Sequence, residues 1–353
     1  MNKEYLYEMN YLRGLAIIGI IAIHSLNERD SNNELIALLN INLEQVSTYS
    51  IPVFLFISGL VLTYNYSNKE LHYIEFIKKR LNVIFIPYVL WSCIYMAYRI
   101  ILDQDSISLL MAVKKIIVGS AFFHLYYIIL IMQFYLLFPL ILDLVQKTRK
   151  HHHELLIITF LFNLVVISLY YYQLDFIDER IIRKVFIVWI FYFIMGSVIG
   201  SKLDQHRHLL SNISMKHLGA LLFVALSYLL YSYYADGLFM EQTNIFWLRP
   251  QVLLYASLCI VALFKIVNEI DKKYLSGWPA RLLNEMGRDS FGIYLSHMLI
   301  IELLLRALPG STLTSSYFLY EYIIFFMGVA LSILFIKLIN KLPMGHILIG
   351  SPR

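Results

Sequence analysis

The most regular feature of the chain is a series of apolar runs separated by short polar segments. Each run is about 20 residues long, the length at which an α-helix crosses the hydrocarbon core of a bilayer. The series predicts about ten transmembrane helices. Their approximate bounds are residues 7–26, 47–66, 83–102, 124–144, 154–173, 184–201, 217–235, 251–269, 290–308 and 317–338. Because the longest hydrophilic block has only about 25 residues, we expect one membrane domain over residues 1–353.

The composition supports a membrane protein. Of the 353 residues, 59% are hydrophobic and 15% are charged, whereas soluble domains average about 45–50% and about 25%. In a soluble protein the net charge of +5 would be compatible with a nucleic-acid partner, but here Lys and Arg cluster between the apolar runs. The predicted fold class is therefore all-α and polytopic, with the lipid bilayer as a partner and no nucleic acid.

The distribution of Lys and Arg predicts which ends of the helices face the cytoplasm. If the N-terminus lies inside, the segments 67–82, 145–153, 202–216, 270–289 and the C-terminal tail are cytoplasmic. That face then carries 20 of the 29 Lys and Arg residues, which agrees with the positive-inside rule. We expect both termini inside, as an even number of helices requires.

The segments on the other face are longer than simple turns. They comprise residues 27–46, 103–123 and 236–250, and the second contains an apolar stretch from Ile107 to Val118. Such segments predict short interfacial helices or re-entrant loops over a cavity.

Two features raise the question of a metal site. His151-His152-His153 lies in a basic segment, where a solvated charged turn is the favoured interpretation and metal binding the alternative. Cys93 and Cys259 both lie inside apolar runs, where we expect packing residues rather than a disulfide or metal ligands. We therefore predict no metal site.

Ionisable side chains inside apolar runs are energetically unfavourable and usually mark a site. Arg13 and His24 share the first run, about 16 Å apart along a helix axis and within about 20° of three full turns, so they lie on one face. Arg13 can hold a phosphate bidentately, and His24 can act as a general base. A snorkelling arginine and a capping histidine remain the alternatives. Glu28, one turn beyond His24, either orients the imidazole or belongs to a loop.

Two further histidines interrupt apolar runs. His124 opens the fourth run, and His297 follows Ser290 by seven residues in the ninth. Either histidine alone is compatible with a packing role. Together with His24 they predict a shared polar cavity.

Ser58 and Arg80 each allow two interpretations. Ser58 precedes Gly59 in the second run, where small residues favour helix packing but a serine near a base can also be a nucleophile. Arg80 ends the basic cluster Lys78-Lys79-Arg80, which indicates either cytoplasmic topology and lipid binding or a phosphate site.

At these residues the sequence resembles the acyltransferase-3 family, bacterial membrane enzymes that O-acylate cell-surface polysaccharides and related glycans. The most specific element is an arginine, ten residues and a histidine in the first helix, matched by Arg13 and His24. The supporting elements keep the family's order and approximate spacing over nearly the whole chain. They are Ser58-Gly59, Arg80 followed by Pro87-Tyr88, His124-Leu125-Tyr126-Tyr127, the stretch Trp189 to Gly196 and the stretch Ser290 to His297.

The resemblance implies a membrane-bound O-acyltransferase of the bacterial cytoplasmic membrane. Such an enzyme transfers an acyl group, with acetyl as the first expectation and succinyl as an alternative, from cytoplasmic acyl-CoA to a hydroxyl of a cell-surface or exported glycan or a lipid-linked glycan. Acyl-CoA is a co-substrate, and no bound cofactor is expected. The chain is most similar to stand-alone members from exopolysaccharide or poly-N-acetylglucosamine loci. Since such members have been regarded as exporters, polysaccharide export without acyl transfer is the alternative function.

The resemblance also suggests roles for the candidate residues. Arg13 and Arg80 would hold the acyl-CoA phosphates, while His24 deprotonates the acceptor or carries the acyl group. His124 and Tyr294 would orient the acceptor or stabilise the oxyanion. An exporter is expected to show repeat symmetry and paired broken helices, which the sequence lacks. The remaining substrate-binding candidates are Ser58, His297 and Glu28.

Overall fold

The computed structural model describes residues 5–26, 34–173, 178–239, 248–270, 277–308 and 317–350. All regular secondary structure within these ranges is helical, which confirms the all-α prediction. The helices of the first half are α1 (Glu8–Ser25), α2 (Glu34–Val46), α3 (Ser50–Tyr66), α4 (Tyr73–Arg80), α5 (Ile86–Leu102), α6 (Leu109–Val118), α7 (Tyr126–Lys147) and α8 (His152–Gln173). Glu28 lies outside the described residues.

The second half continues the helical pattern. Its helices are α9 (Glu179–Ile182), α10 (Ile190–Ser201), α11 (Leu203–Ser211), α12 (Met215–Phe239), α13 (Pro250–Glu269), α14 (Trp278–Arg288), α15 (Ser290–Ala307), α16 (Tyr317–Ile339) and α17 (Gly345–Ile349). Short 3₁₀ turns lead into α3, α7 and α10, and a π turn joins α4 to α5.

Each of the ten predicted runs overlaps a helix of the structure. By length and composition, eight helices of the described chain can cross a membrane, or nine if the bent pair of α10 and α11 counts as one span. Two spans begin earlier than predicted, at Leu39 and Tyr73, because α2 continues into α3 and α4 into α5. The protein is a multi-pass membrane protein.

The first predicted span, α1, is less apolar than the eight helices that can cross a membrane by themselves. Asn10, Arg13 and His24 reduce its mean hydropathy, yet most of its other side chains are fully buried. It packs against α3, α13, α14, α15 and α16. Because protein rather than lipid surrounds α1, it tolerates polar groups that a lipid-facing helix would exclude.

Small residues bring α3 and α10 into backbone contact. A Cβ atom added to Gly59 would overlap the Phe193 carbonyl, and one added to Gly196 would overlap the Phe56 carbonyl. Small residues allow this approach between helices in membranes. Gly59 therefore has a packing role, as its position beside Ser58 suggested.

A second close contact holds the N-terminal half of α1 against α14. Gly287 lies directly against the Asn10 carbonyl, and Gly14 against the Leu283 carbonyl. The Asn10 side chain also donates a hydrogen bond of 2.9 Å to Asn284 Oδ1. These contacts fix the depth and rotation of α1, and with them the position of Arg13.

The predicted interfacial segment after α5 contains the short helix α6. The Ser108 side chain caps its first turn by accepting from Met111 N, and Gly119 ends it in the left-handed conformation at φ 68°. Leu109 and Leu110 are 82% and 79% exposed. An apolar, protein-free surface on a short helix is typical of a segment that lies in the membrane interface.

Candidate active site

Three histidines from distant parts of the chain meet at one end of α1. His24 lies in the last turn of α1, His124 in the 3₁₀ turn before α7, and His297 in the second turn of α15. The ring centroid of His297 is 5.4 Å from that of His24 and 5.0 Å from that of His124. The structure thus brings together the three histidines that the sequence assigned to a shared cavity.

Hydrogen bonds define the proton positions of this cluster in part. His297 Nδ1 lies 2.7 Å from the Tyr294 carbonyl, which can only accept, so Nδ1 carries the proton. In the neutral ring Nε2 is then a free lone-pair acceptor, and it is buried with no partner among the described residues. Both ring nitrogens of the buried His124 also lack a well-formed hydrogen bond within that part of the chain. Unsatisfied buried nitrogens of this kind are expected where a ligand completes the site.

The three rings differ in accessibility. His124 is 2% exposed and His297 is fully buried, whereas His24 is only partly buried and packs edge-on against Phe123. His24 is therefore the least buried ring of the cluster. Among the described residues, no group of three or more His, Cys, Asp or Glu side chains has a geometry suited to a metal ion.

Tyr294 and Tyr95 hold His124 and α15 together. The Tyr294 hydroxyl donates to the backbone carbonyl of His124. Tyr95 donates to the Leu295 carbonyl at 2.8 Å and accepts from Leu299 N at 3.1 Å, and its ring packs against His124. The Tyr294 proton is thus already in use, so the structure places this residue as a support of His124, and its oxyanion role stays a prediction.

The other end of α1 holds two arginines. Arg13 is partly buried and donates to Asn10 Oδ1 at 3.3 Å. It lies within electrostatic range of Arg80, Tyr127 and Tyr135. Arg80 packs its guanidinium over the rings of Phe76 and Tyr135, each 5.4 Å from the centroid. Two cationic groups therefore lie near each other in the interior.

Neither guanidinium forms an ion pair with a carboxylate in the described part of the chain. Arg80 Nε is in addition buried without a hydrogen-bond partner there. Like charges at low dielectric repel, and buried charges are normally paired. This arrangement is suited to an anion with more than one negative charge.

Aromatic residues connect the two ends. Tyr127 lies near Arg13, and its ring packs against Tyr294 at 5.5 Å, which itself packs against His297. Tyr127 and Tyr135 lie two turns apart on α7 and face the same interior. His124 and Tyr135 are eleven residues apart, the same separation as Arg13 and His24. Tyr127 and Tyr135 of α7 thus both lie near Arg13, and Tyr127 continues through Tyr294 to His297.

The sequence did not single out Tyr127, Tyr135 or Asn10 as functional. One available signal was the matching eleven-residue separation on the first and fourth apolar runs, which places Tyr135 beside Arg13 if the two helices are antiparallel. Asn10 had no such signal, because its partner Asn284 is 274 residues away.

Ser58 lies on α3, on the side facing α7. Its hydroxyl donates to the Phe54 carbonyl of its own helix at 2.8 Å, and it is a neighbour of Tyr127. The back-bond to the preceding turn is common for serines in membrane helices. The proposed role of Ser58 as a nucleophile or substrate contact stays a prediction.

Comparison with known proteins identifies the family of the chain. The family model described as an acyltransferase domain (Acyl_transf_3) matches residues 6–337. The chain belongs to the acyltransferase-3 family. No curated protein and no solved structure that was compared matches the chain. As a member of this family the protein is an acyltransferase, and Arg13, Arg80 and the three histidines all lie inside the matched region.

Proposed function

We propose that this acyltransferase is a membrane-bound O-acyltransferase. It takes an acyl group, acetyl in the simplest case, from acyl-CoA and transfers it to a hydroxyl of a glycan. The main observation in support is that the two ends of one face of α1 differ in their chemistry. One end holds two guanidinium groups, Arg13 and Arg80, neither of which forms an ion pair with a carboxylate among the described residues, and the other end holds the three imidazole rings of His24, His124 and His297.

The Arg13 end suits the phosphates of acyl-CoA. Coenzyme A carries a diphosphate and a separate phosphate, and guanidinium groups bind such oxygens bidentately. Tyr135 packs under Arg80 and lies near Arg13, so it keeps both cations in one region. Acyl-CoA thus serves as the co-substrate, and the proposal needs no resident cofactor.

The distance between the ends suits the rest of the donor. Arg13 and His24 are about 16 Å apart along α1, estimated from the helical rise. The extended pantetheine arm of acyl-CoA is of comparable length. Beside Tyr127 and Tyr294 it could carry the thioester to the histidines, while the nucleotide stays at the arginines.

At the His24 end the reaction is a proton-coupled acyl transfer. His24, the accessible ring, accepts the proton of the acceptor hydroxyl as its oxygen attacks the thioester carbonyl. The carbon–sulfur bond then breaks, and the coenzyme A thiolate leaves and takes up a proton. In the alternative two-step route His24 carries the acyl group transiently. His124 can donate its ring N–H to the developing oxyanion, and His297 Nε2 can accept a hydrogen bond from a hydroxyl of the acceptor.

The proposal also assigns a direction. With both termini in the cytoplasm, acyl-CoA binds from the cytoplasmic side and the acceptor from the outer side of the bacterial cytoplasmic membrane. The acceptor is then a cell-surface or exported glycan, such as an exopolysaccharide, or its lipid-linked precursor. The 15% aromatic residues fit contact with sugar rings as well as interfacial anchoring.

Acyl transfer across a sealed vesicle tests the proposal. The purified chain is reconstituted, acetyl-CoA labelled in the acetyl group is supplied on one side, and a glycan acceptor on the other. We expect labelled glycan from the unaltered chain and from His217→Ala, since His217 is exposed on α12, and background label from His24→Ala. Full transfer by His24→Ala would contradict the role of His24. Glycan that crosses the vesicle without any acyl-CoA turnover would instead support export.

A further inference from the structure

A polar cavity lies away from the three histidines. Its volume is about 500 Å³, within the range of ligand pockets. It lies between the turn that joins α7 to α8 and the bend of 99° that separates α10 from α11. Neither Arg13 nor Arg80 lines it. Its ionisable lining residues are Arg149, Lys150, His152, His153, Lys202 and His206.

The charge of this cavity is entirely of one sign. Three of the lining residues are permanent cations, three are imidazoles, and none is a carboxylate. Basic pockets between transmembrane helices are suited to phosphate-bearing headgroups. Topology alone would require only that Lys and Arg be enriched in the loops, and it would not place them around a concave space.

Hydrogen bonds to backbone carbonyls shape the cavity before any ligand binds. Lys202 Nζ donates to the Arg149 carbonyl at 2.9 Å and so joins the α10–α11 bend to the α7–α8 turn. His152 Nε2 lies 3.0 Å from the Val145 carbonyl, and His206 Nδ1 lies 2.9 Å from the Lys202 carbonyl. A carbonyl only accepts, so both ring nitrogens carry protons and both rings are held in place.

The rings of His152 and His206 come from different helices and lie nearly parallel, with their centroids 6.4 Å apart. The ammonium of Lys202 has three N–H donors, and its bond to Arg149 uses one of them. The side chains of Arg149 and Lys150 are exposed at the rim. The cavity therefore combines an inner wall held by hydrogen bonds with exposed cations at its entrance.

The cavity lies at the same end of the protein as the start of α1. Arg207, on α11 next to His206, forms an ion pair with Glu8 in the first turn of α1. Arg13 belongs to the same half of α1. A ligand in this cavity thus contacts α11, which forms an ion pair with the first turn of α1, without contacting Arg13 or Arg80.

We propose that this cavity binds a phosphate group, carried either by the headgroup of an anionic phospholipid or by a small soluble phosphate compound. The proposal does not depend on the acyl-transfer reaction. It also gives a role to two residues of the His151-His152-His153 triplet, His152 and His153, which line the cavity.

Binding to the purified full-length chain in neutral detergent tests this proposal. The probes are labelled short-chain phosphatidylglycerol, phosphatidylcholine of the same chain length, and labelled inorganic pyrophosphate, each measured by equilibrium dialysis. The test variant is Arg149→Gln with Lys150→Gln, which leaves the Arg149 carbonyl bonded to Lys202. The control is Lys216→Gln with Lys341→Gln, which removes two exposed charges outside the cavity.

We expect the test variant to lose about tenfold or more in affinity for the anionic probe, because two charges near the phosphate are removed. The control should stay within about twofold, since distant exposed charges are screened. Arg149→Lys with Lys150→Arg should restore binding. Binding of phosphatidylglycerol alone identifies a lipid headgroup as the ligand, and binding of pyrophosphate identifies a soluble phosphate. Equal weakening in test and control variants, or no binding of either anion, would overturn the proposal.

Discussion

At the His24 end of α1, three imidazole rings are packed among aromatic side chains, whereas at the Arg13 end two guanidinium groups lie near each other with no paired carboxylate in the described chain. The first end is held by hydrogen bonds from Tyr95 and Tyr294. The second is held mainly by Asn10 and by ring contacts of Arg80. The His24 end thus holds its side chains in a fixed geometry, and the Arg13 end carries positive charge.

This difference separates binding from chemistry. A pair of cations that has no carboxylate partner among the described residues favours an anionic donor in the ground state and in the transition state equally, which lowers KM. A rigid cluster of imidazoles favours the moving proton and the developing oxyanion, which raises kcat. Substitutions at the two ends should therefore change different kinetic constants.

The largest effect is expected for His24→Ala. Loss of the general base should reduce kcat by about 10²–10⁴-fold, while the affinity for coenzyme A stays within about twofold, because the arginine end is untouched. Steady-state kinetics measure the loss of kcat, and equilibrium binding of labelled coenzyme A measures the retained affinity. An equal loss of coenzyme A affinity would show that the two ends do not act separately.

Arg13→Gln should have the opposite pattern. Hydrogen bonds to charged groups contribute about 1.5–3 kcal/mol, so KM for acyl-CoA should rise about tenfold to a hundredfold with a smaller change in kcat. Arg80→Gln should behave in the same way. Arg13→Lys keeps the charge but loses the bidentate geometry, so its KM should be intermediate.

The control for the arginine variants is Lys216→Gln, which removes an exposed charge at the start of α12. Its KM should not change. If Arg13→Gln lowered kcat as strongly as His24→Ala and left KM unaltered, the arginines would belong to the chemistry and not to donor binding.

Gly287→Ala should disturb the Arg13 end alone. Its new Cβ would overlap the Asn10 carbonyl, so α1 and α14 must move apart. Overpacking of this kind destabilises by about 1–3 kcal/mol. We expect a lower thermal unfolding midpoint and a raised KM. The matched control is Gly219→Ala on α12, where an added Cβ meets nothing within 4 Å and both quantities should be retained.

The sequence predicted some neighbours of the site and missed others. The two groups differ in how far apart in the chain the contacting residues lie. Arg13 and His24 share one helix, so the helical period alone places them on one face. That His124 and His297 join His24 followed from the unfavourable energy of isolated polar groups in a membrane. The roles of Asn10 and Tyr127 depend on contacts between helices far apart in the chain, which no local pattern contains. For Tyr135 the only signal was the eleven-residue separation from His124, which matches that of Arg13 and His24.

Contacts between distant helices also explain why α1 is less apolar than the other predicted spans. A hydropathy pattern measures how apolar a helix is and assumes that lipid surrounds the helix. The neighbours of α1 are other helices, so its apolarity no longer measures its depth in the membrane. Two predicted spans also began too late, because the continuation of α2 into α3 and of α4 into α5 crosses polar residues that resemble a loop.

The smallest effect is expected for Tyr294→Phe, which tests the rigidity of the histidine end. The substitution removes the hydroxyl that donates to the His124 carbonyl and leaves that carbonyl with its bond from the backbone N–H of Tyr126. This costs about 0.5–1.5 kcal/mol in stability and lets the 3₁₀ turn carrying His124 shift. We therefore expect a lower thermal unfolding midpoint, a kcat reduced by about tenfold and an unchanged KM for acyl-CoA. Tyr228→Phe on the exposed face of α12 is the control and should alter none of these.

One outcome would contradict the supporting role of Tyr294. If Tyr294→Phe reduced kcat as strongly as His24→Ala and left the stability unaltered, the Tyr294 hydroxyl would be a direct donor to the oxyanion. The reason is that loss of a supporting residue must also loosen the turn that the residue holds.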